Sequence, residues 1–482
     1  MNAIDRLVLY FSPAAGKSRV RDRLAAKMLY EAGEPSRFRR QKAKRGSADV
    51  SVARAGNRLM DSARYLDENF DIASGALDLL VTNIVGTGIR PEPSVMTLAG
   101  EPADEVNDQI RTLFKHWSKS PDVSGEYDLA QYQRLIVRST FRDGDAFTRT
   151  ISGKVAGLER KHGVPFWLEA MESDFVDLQH NELSKGIIQG IQRNKWGAPS
   201  VYHAYKSHPA GLVSAPGKRP IPAAQMIHSK ITKRLNQNRG VTVFATVFNR
   251  LDDIKEIDES ERVAARVAAA MAAYVKKGTP DVYDSDEADE DRLIDWSPGQ
   301  VFDNLQPGED IGTINSNRPN NALIPFKDSQ MRHSASGLCV SYSGFSKNYN
   351  GTYSAQRQEL VEQYGAYGVL WSYFARQPFQ MIYERFIDAA IASGMLKVAG
   401  IDELTLYDCQ HSRPPMVWID PLKEAKANKE MRENDWTSDG QIIRDKGGDP
   451  NEVYRQIARD KKDKEAAGII EDPETTETTT EE

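Results

Sequence analysis

The sequence predicts an α+β fold, on three observations. Apolar residues recur at three- and four-residue spacing over 57–85, the signature of helices with one buried face. Between 147 and 247 the apolar runs are short, rich in β-branched and aromatic residues and punctuated by Gly and Pro, as in antiparallel strands. From 353 to 393 a long aromatic-rich helical pattern is interrupted at Pro378, where a kink is expected. At 482 residues the chain needs more than one packed unit.

The elements follow in order. Residues 1–45 are irregular and end in a basic run over 37–45, read as a surface arm or as a nucleic-acid or shell contact. In the first helical region Leu59, Ala63, Leu66 and Phe70, then Ala73, Leu77, Leu80 and Ile84, form the stripe. It stops at Gly86-Thr87-Gly88, with Pro91 and Pro93 beyond. Further helices are expected at 105–117 and 129–142. Strands are expected at 166–171, 187–191, 201–205 and 226–228. An alanine-dense helix is expected over 259–277, with Val263, Val267, Met271 and Tyr274 along one stripe and Gly278 and Pro280 ending it. Residues 281–295 hold eight acids and one Arg, and 297–326 are turn-rich. A second helix over 327–342 leads to a Gly/Ser/Asn/Tyr loop over 343–352 and then to the kinked helix. Polar helices at 420–434 and 451–467 precede a disordered Glu/Thr tail.

Charge and cysteine content narrow the class. The chain carries 63 basic and 69 acidic residues, net −6, so tight sequence-independent gripping of DNA is not its main task. The longest strongly apolar stretch, about 267–275, is too short to span a membrane. Residues 7–11 are too short for a signal-peptide core. Cys339 and Cys409 stand alone, which fits a reducing cytoplasm rather than a disulfide scaffold.

Several motifs look chemical. Gly16-Lys17-Ser18 resembles a phosphate loop, but Phe11 stands where the first glycine is needed. Pro91 takes the third glycine's place after Gly86-Thr87-Gly88, so a dinucleotide fingerprint is excluded. Gly344-Phe345-Ser346-Lys347-Asn348 lacks the last glycine of a nucleophile elbow. In the acidic run, Ala288 and Asp289 occupy a ligand and the turn-glycine position of a calcium loop. His203 and His208, and Cys409 and His411, lack zinc spacing. With no catalytic set, a structural protein is expected, with no cofactor and no metal.

The order helix, acidic turn-rich insert, helix, polar loop, kinked helix resembles that of phage portal subunits. Asn83-Ile84-Val85-Gly86-Thr87-Gly88-Ile89-Arg90-Pro91 resembles the N-terminal signature of the lambda-type portal family. Asp143-Gly144-Asp145-Ala146-Phe147, Gly190-Ile191, Ile227-His228 and Arg239-Gly240-Val241 are similar to its β-rich region. Arg318-Pro319-Asn320, Tyr349-Asn350-Gly351-Thr352-Tyr353-Ser354-Ala355-Gln356-Arg357 and Trp418-Ile419-Asp420-Pro421-Leu422-Lys423 continue the resemblance, which runs from about 54 to 467.

The resemblance implies an N-terminal arm (1–53), a wing (54–250), a first stem helix (251–277), a clip (278–326) and a second stem helix (327–342). A tunnel loop (343–352), a long kinked helix returning to the wing (353–419), crown-side helices (420–470) and a disordered acidic tail (471–482) complete it. It implies a homo-oligomeric ring, a dodecamer, at the virion's capsid vertex, assembled in the host cytoplasm and passing double-stranded DNA. Partners would be the terminase large subunit, the head–tail adaptor and the major capsid protein, with no membrane. Ser346, Lys347, Asn348, Tyr349 and Asn350 would approach DNA, and Asp284, Asp286, Glu287, Asp289, Glu290 and Asp291 would dock partners. Val263, Val267 and Met271 would pack the stem. The alternative is another ring-forming head–tail connector component, against which the length and the helix–clip–helix order speak.

Overall fold

The computed structural model describes residues 10, 46–158, 163–211, 217–269, 273–277, 309–313, 323–416 and 420–469. The chain divides into Met1–Ser47 and Ala48–Glu482, and every element below belongs to the second unit.

The helical pattern over 57–85 forms two helices, α1 (Ala48–Asn69) and α2 (Asp71–Ile84). Phe70 between them is extended (φ −138°, ψ 107°) and buried. That single extended residue turns Ala73, Leu77, Leu80 and Ile84 onto the core that Ala63 and Leu66 already face. β1 (Pro91–Pro93), α3 (Asp104–Trp117) and α4 (Leu129–Asp143) follow. The Asp128 carboxylate caps α4, accepting from the Gln131 N–H at 2.7 Å. Gly144, at φ +100°, ends it.

The β-rich unit is antiparallel, as expected, and splits into two sheets. Its strands are β2 (Asp145–Ser152), β3 (Phe166–Met171), β4 (Ile187–Ile188), β5 (Ile191–Arg193), β6 (Pro199–Tyr205), β7 (Lys218–Pro222) and β8 (Met226–Lys230). One sheet has the order β3-β2-β8 and the other β4-β5-β6-β7. Central β2 is nearly all buried because both its faces are covered. Ala146 faces the main core with Trp117, Phe166 and Phe386. Phe147 points the other way, into a small core with Tyr202, Ile221 and Met226.

The alanine-dense helix differs from expectation. Helix α5 (Phe248–Ala269) starts earlier and stops eight residues short of 277. Residues Ala273–Lys277 are instead a strand, β9, paired antiparallel with β10 (Glu309–Thr313), with Val275 opposite Ile311. Alanine propensity is a weak prior, and Tyr274, Val275 and Ile311 are strand formers once a partner strand is present. The second helix, α6 (Leu323–Leu338), is likewise displaced from 327–342, ending at Cys339, whose φ is +57°. The first four residues of the expected 343–352 loop belong to the short helix α7 (Tyr342–Ser346).

The long helix is where the pattern placed it. It comprises α8 (Tyr353–Phe374), a π turn (Ala375–Phe379) and α9 (Gln380–Ala392). Pro378 has no N–H to give, and the Gln380 N–H reaches back five residues to Ala375 O. β11 (Cys409–His411) then pairs with β1. Helices α10 (Pro421–Glu433) and α12 (Pro450–Ala466) match the expected polar helices, and α11 (Asp439–Asp445) lies between them. No described helix is long and apolar enough to cross a membrane.

Candidate functional site

Two places hold the residues that the sequence singled out. The first is the turn from α7 into α8. Ser341 caps α7, its hydroxyl accepting from the Gly344 N–H at 3.3 Å, and Phe345 anchors the turn in the main core. Glu359, on α8, accepts from the Ser343 N–H at 3.0 Å and its hydroxyl at 2.5 Å. At the other end Thr352 caps α8, and the Gln356 amide donates to Tyr349 O.

Between these anchors lie the five expected residues. Ser346 is half-buried and spends its hydroxyl on Tyr342 O at 2.8 Å. Asn348 is half-buried and accepts from the Asn350 N–H at 3.1 Å. Lys347, Tyr349 and Asn350 are exposed. Lys347 ends α7 with a left-handed backbone at φ +55°, which costs a non-glycine residue roughly 1 kcal/mol. It makes no ion pair among the described residues. Chemically the segment is a short polar projection, fixed at its roots, with one free cation. Nothing in the sequence marked Glu359 or Gln356 as its supports.

The other expected residues contribute less. Val263 is on α5 and 49% exposed. The Val267 side chain, Met271, and the acidic positions Asp284, Asp286, Glu287, Asp289, Glu290 and Asp291 lie outside what is described, as do Gly16-Lys17-Ser18, the basic run and the tail.

The second place is a buried ionic node in the β-rich unit. It unites three of the quoted motifs. Asp145 accepts from Arg239 Nε at 2.5 Å and Nη2 at 3.1 Å, from Ser173 at 2.6 Å and from the Gly240 N–H at 3.3 Å. His228 Nε2 is 3.2 Å away and its ring stacks on Phe147 at 4.4 Å. Arg239 is fully buried, and its remaining donors reach Ser173 O, Val176 O and Gln189 O. A Cβ on Gly240 would lie 1.8 Å from Gly144 O, so the motif glycines let the two chains touch.

Burial alone would raise the Asp145 carboxyl, but the Arg239 charge and the hydrogen bonds from His228 and Arg239 outweigh it and hold it well below the usual range. Burial pushes His228 down to about 4, and the Asp145 hydrogen bond only partly offsets that. Every acceptor on Asp145 is engaged, and the node is closed to solvent. It is a structural clasp, not a reaction centre.

The clasp makes stability pH-dependent. His228 is carried neutral in the fold, so its contribution is whole above the unfolded imidazole value near 6.5 and drains as pH falls towards 4. Between pH 7 and pH 5 this amounts to on the order of 2 kcal/mol. Urea unfolding at the two pH values measures it, and His228→Gln is expected to flatten the difference. An unchanged slope in that variant refutes the assignment.

Other reactive-looking groups are quiet. Cys409 Sγ lies 3.6 Å from His411 Nε2. Burial, with the Glu384 and Asp408 charges, pushes the thiol up to about 12, and burial pushes His411 down to about 4. A neutral thiol beside a neutral imidazole is no activated nucleophile. Glu172, Asp174 and His208 have ligand-like spacing, but Arg64 Nη2 is 2.5 Å from Asp174 and Arg142 Nη2 is 3.0 Å from Glu172. Guanidinium groups already supply the positive charge a metal ion would bring.

Known proteins resemble this one as follows. The family model described as phage portal protein, lambda family, matches residues 34–370. The probable portal protein of Halomonas phage phiHAP-1 is 25% identical over 430 residues, covering 86% of this chain and 82% of that protein. Portal protein B of Escherichia phage lambda is 23% identical over 328 residues, 59% of this chain and 60% of the lambda protein. Among solved structures, a chain in the neck of a native gene transfer agent particle, computed with C12 symmetry, covers 81% of this chain and 94% of its own at 10% identity. Its TM-score of 0.45 is too low to add weight.

Proposed function

The chain belongs to the lambda family of phage portal proteins, a structural family of the virion's capsid vertex, and from that premise we propose that it forms a ring whose central hole passes double-stranded DNA, with residues 346–350 lining it. The observation that carries the loop's role is its construction: both roots are pinned, by Glu359 and by Gln356, and a single unpaired cation, Lys347, stands at the exposed end. DNA that must slide needs few phosphate contacts, because each one adds to binding and to its salt dependence. One lysine per subunit on a net-negative chain meets that need. In this reading the ring docks the terminase large subunit during filling and the head–tail adaptor afterwards, within a shell of major capsid protein.

Electron microscopy of negatively stained purified protein tests the ring. Particles with a central hole and roughly twelve-fold symmetry are expected, and a compact dimer that hydrolyses ATP would overturn the reading. Lys347→Gln tests the loop. One charge-assisted phosphate contact is worth on the order of 1 kcal/mol, so about fivefold fewer filled heads are expected. Unchanged DNA length and yield in filled heads sink that assignment.

A further inference from the structure

Charge is unevenly distributed along the chain. Residues 183–251 hold eleven Lys and Arg and no Asp or Glu, although the whole protein is net-negative. Residues 46–182, which build the helices before that stretch, hold 22 acidic against 14 basic. Each region also exposes large apolar side chains, among them Leu98 in the acidic one and Trp196 and Leu235 in the basic one.

On the basic side there are two loops. The hairpin tip between β5 and β6 presents Trp196, 83% exposed, beside Lys195. It is held rigid, since Asn194 Oδ1 accepts from both the Trp196 and Ala198 N–H groups, at 2.9 and 3.0 Å. The loop after β8 presents Leu235, 96% exposed, beside Lys233 and Arg234. The roots of the two loops are tied by Arg193 Nε donating to Asn238 Oδ1 at 2.8 Å. Lys195 and Lys233 have no acidic partner among the described residues.

On the acidic side two other loops meet. Leu98 is 79% exposed and Leu404 is 88% exposed. Their segments are joined by the Leu98 N–H to Gly400 O at 3.3 Å, the Asp402 N–H to Met96 O at 2.9 Å and the Met96 N–H to Thr405 Oγ1 at 2.9 Å. Glu101, Asp104, Glu105, Asp402 and Glu403 lie within seven residues of one or other leucine along the chain, and none forms an ion pair with a described residue.

We propose that the Trp196–Leu235 edge of one copy seats on the Leu98–Leu404 face of the next copy. The occupant is a second copy because the complement of each patch, in charge and in apolar anchors, is on the same chain. Two different faces of one chain that fit each other form a head-to-tail contact, which repeats around an axis and closes as a ring where its rotation divides a full turn. Trp and Leu supply the desolvated centre, and the unpaired charges form the rim. The inference rests on the ring reading above and says which faces make the ring.

Charge reversal on each face tests it. Glu101→Lys with Glu403→Lys makes the acidic face basic, and Lys195→Glu with Lys233→Glu makes the basic edge acidic. All four side chains are exposed, so native circular dichroism is expected throughout. Ring content against protein concentration, by native mass spectrometry, is the readout. Each doubly reversed protein alone meets like charge at every contact, and its half-assembly concentration is expected to rise at least about tenfold. Mixed one to one, the two restore opposite charge at every contact and are expected to form rings of alternating subunits near the wild-type concentration. If each reversed protein forms rings like the wild type, or if the two folded proteins fail to rescue each other, the contact is overturned while the ring stands. A wild-type protein that forms no ring at any concentration overturns the ring reading, and this contact with it.

Discussion

Arg239→Met is expected to lose about 3–5 kcal/mol of folding stability, the usual result of stripping one partner from a buried ion pair. The Asp145 carboxylate would remain in place with no charge to balance it and three of its hydrogen bonds weakened or gone. His228, relieved of the neighbouring guanidinium, would take up a proton more readily and offset part of the loss. The double variant Arg239→Met, Asp145→Asn removes both charges and is expected to recover most of the stability, since a neutral pair no longer has to be desolvated as ions. Urea midpoints at an unchanged m-value decide it. A single variant within about 1 kcal/mol of wild type, or a double variant no better than the single, refutes the clasp.

Trp117→Ala is expected to cost a similar amount, about 3–5 kcal/mol, for a different reason. The indole is fully buried where α3, the β3-β2-β8 sheet and α9 meet, against Phe114, Phe166 and Phe386 at 5.2, 5.5 and 5.0 Å between ring centres. Truncation opens a cavity among groups from three elements that cannot all close it, and it orphans Phe166 O, to which Nε1 donates at 2.8 Å. Trp117→Phe keeps most of the volume and loses only the hydrogen bond, so it is expected to cost less than half as much. Equal losses in the two variants would mean that packing is not the cause.

What was legible in the sequence was what is local in the chain. The long helix and its interruption at Pro378 were placed because the periodicity and the proline lie within forty residues, and a missing N–H acts on its own turn. Lys347 was visible as the loop's one charge for the same reason. The alanine-dense segment was misjudged over 273–277 because the state of those residues is decided by β10, more than thirty residues further on. Local propensity reads helix there, and no window around residues 273–277 contains the partner strand. The motifs at Asp145, His228 and Arg239 stood out as islands, yet their joint role was hidden, since Arg239 and Asp145 are 94 positions apart. Glu359 was hidden in a different way: a glutamate on a helix is ordinarily a solvated one, and only the fold brings Ser343 beneath it.

The reach of the clasp along the chain has a kinetic consequence. Its hydrogen bonds span separations from 28 to 95 residues, so each closes a long loop and is expected to be made after the neighbouring helices and hairpins have formed. Interactions that form after the rate-limiting step leave the folding rate nearly untouched and act on the rate of unfolding. The Arg239→Met loss is therefore expected in the unfolding arm of a chevron. In the proposed role a subunit at a capsid vertex waits between the filling of a head and its emptying, and what would guard it through that interval is a slow rate of escape rather than a fast return.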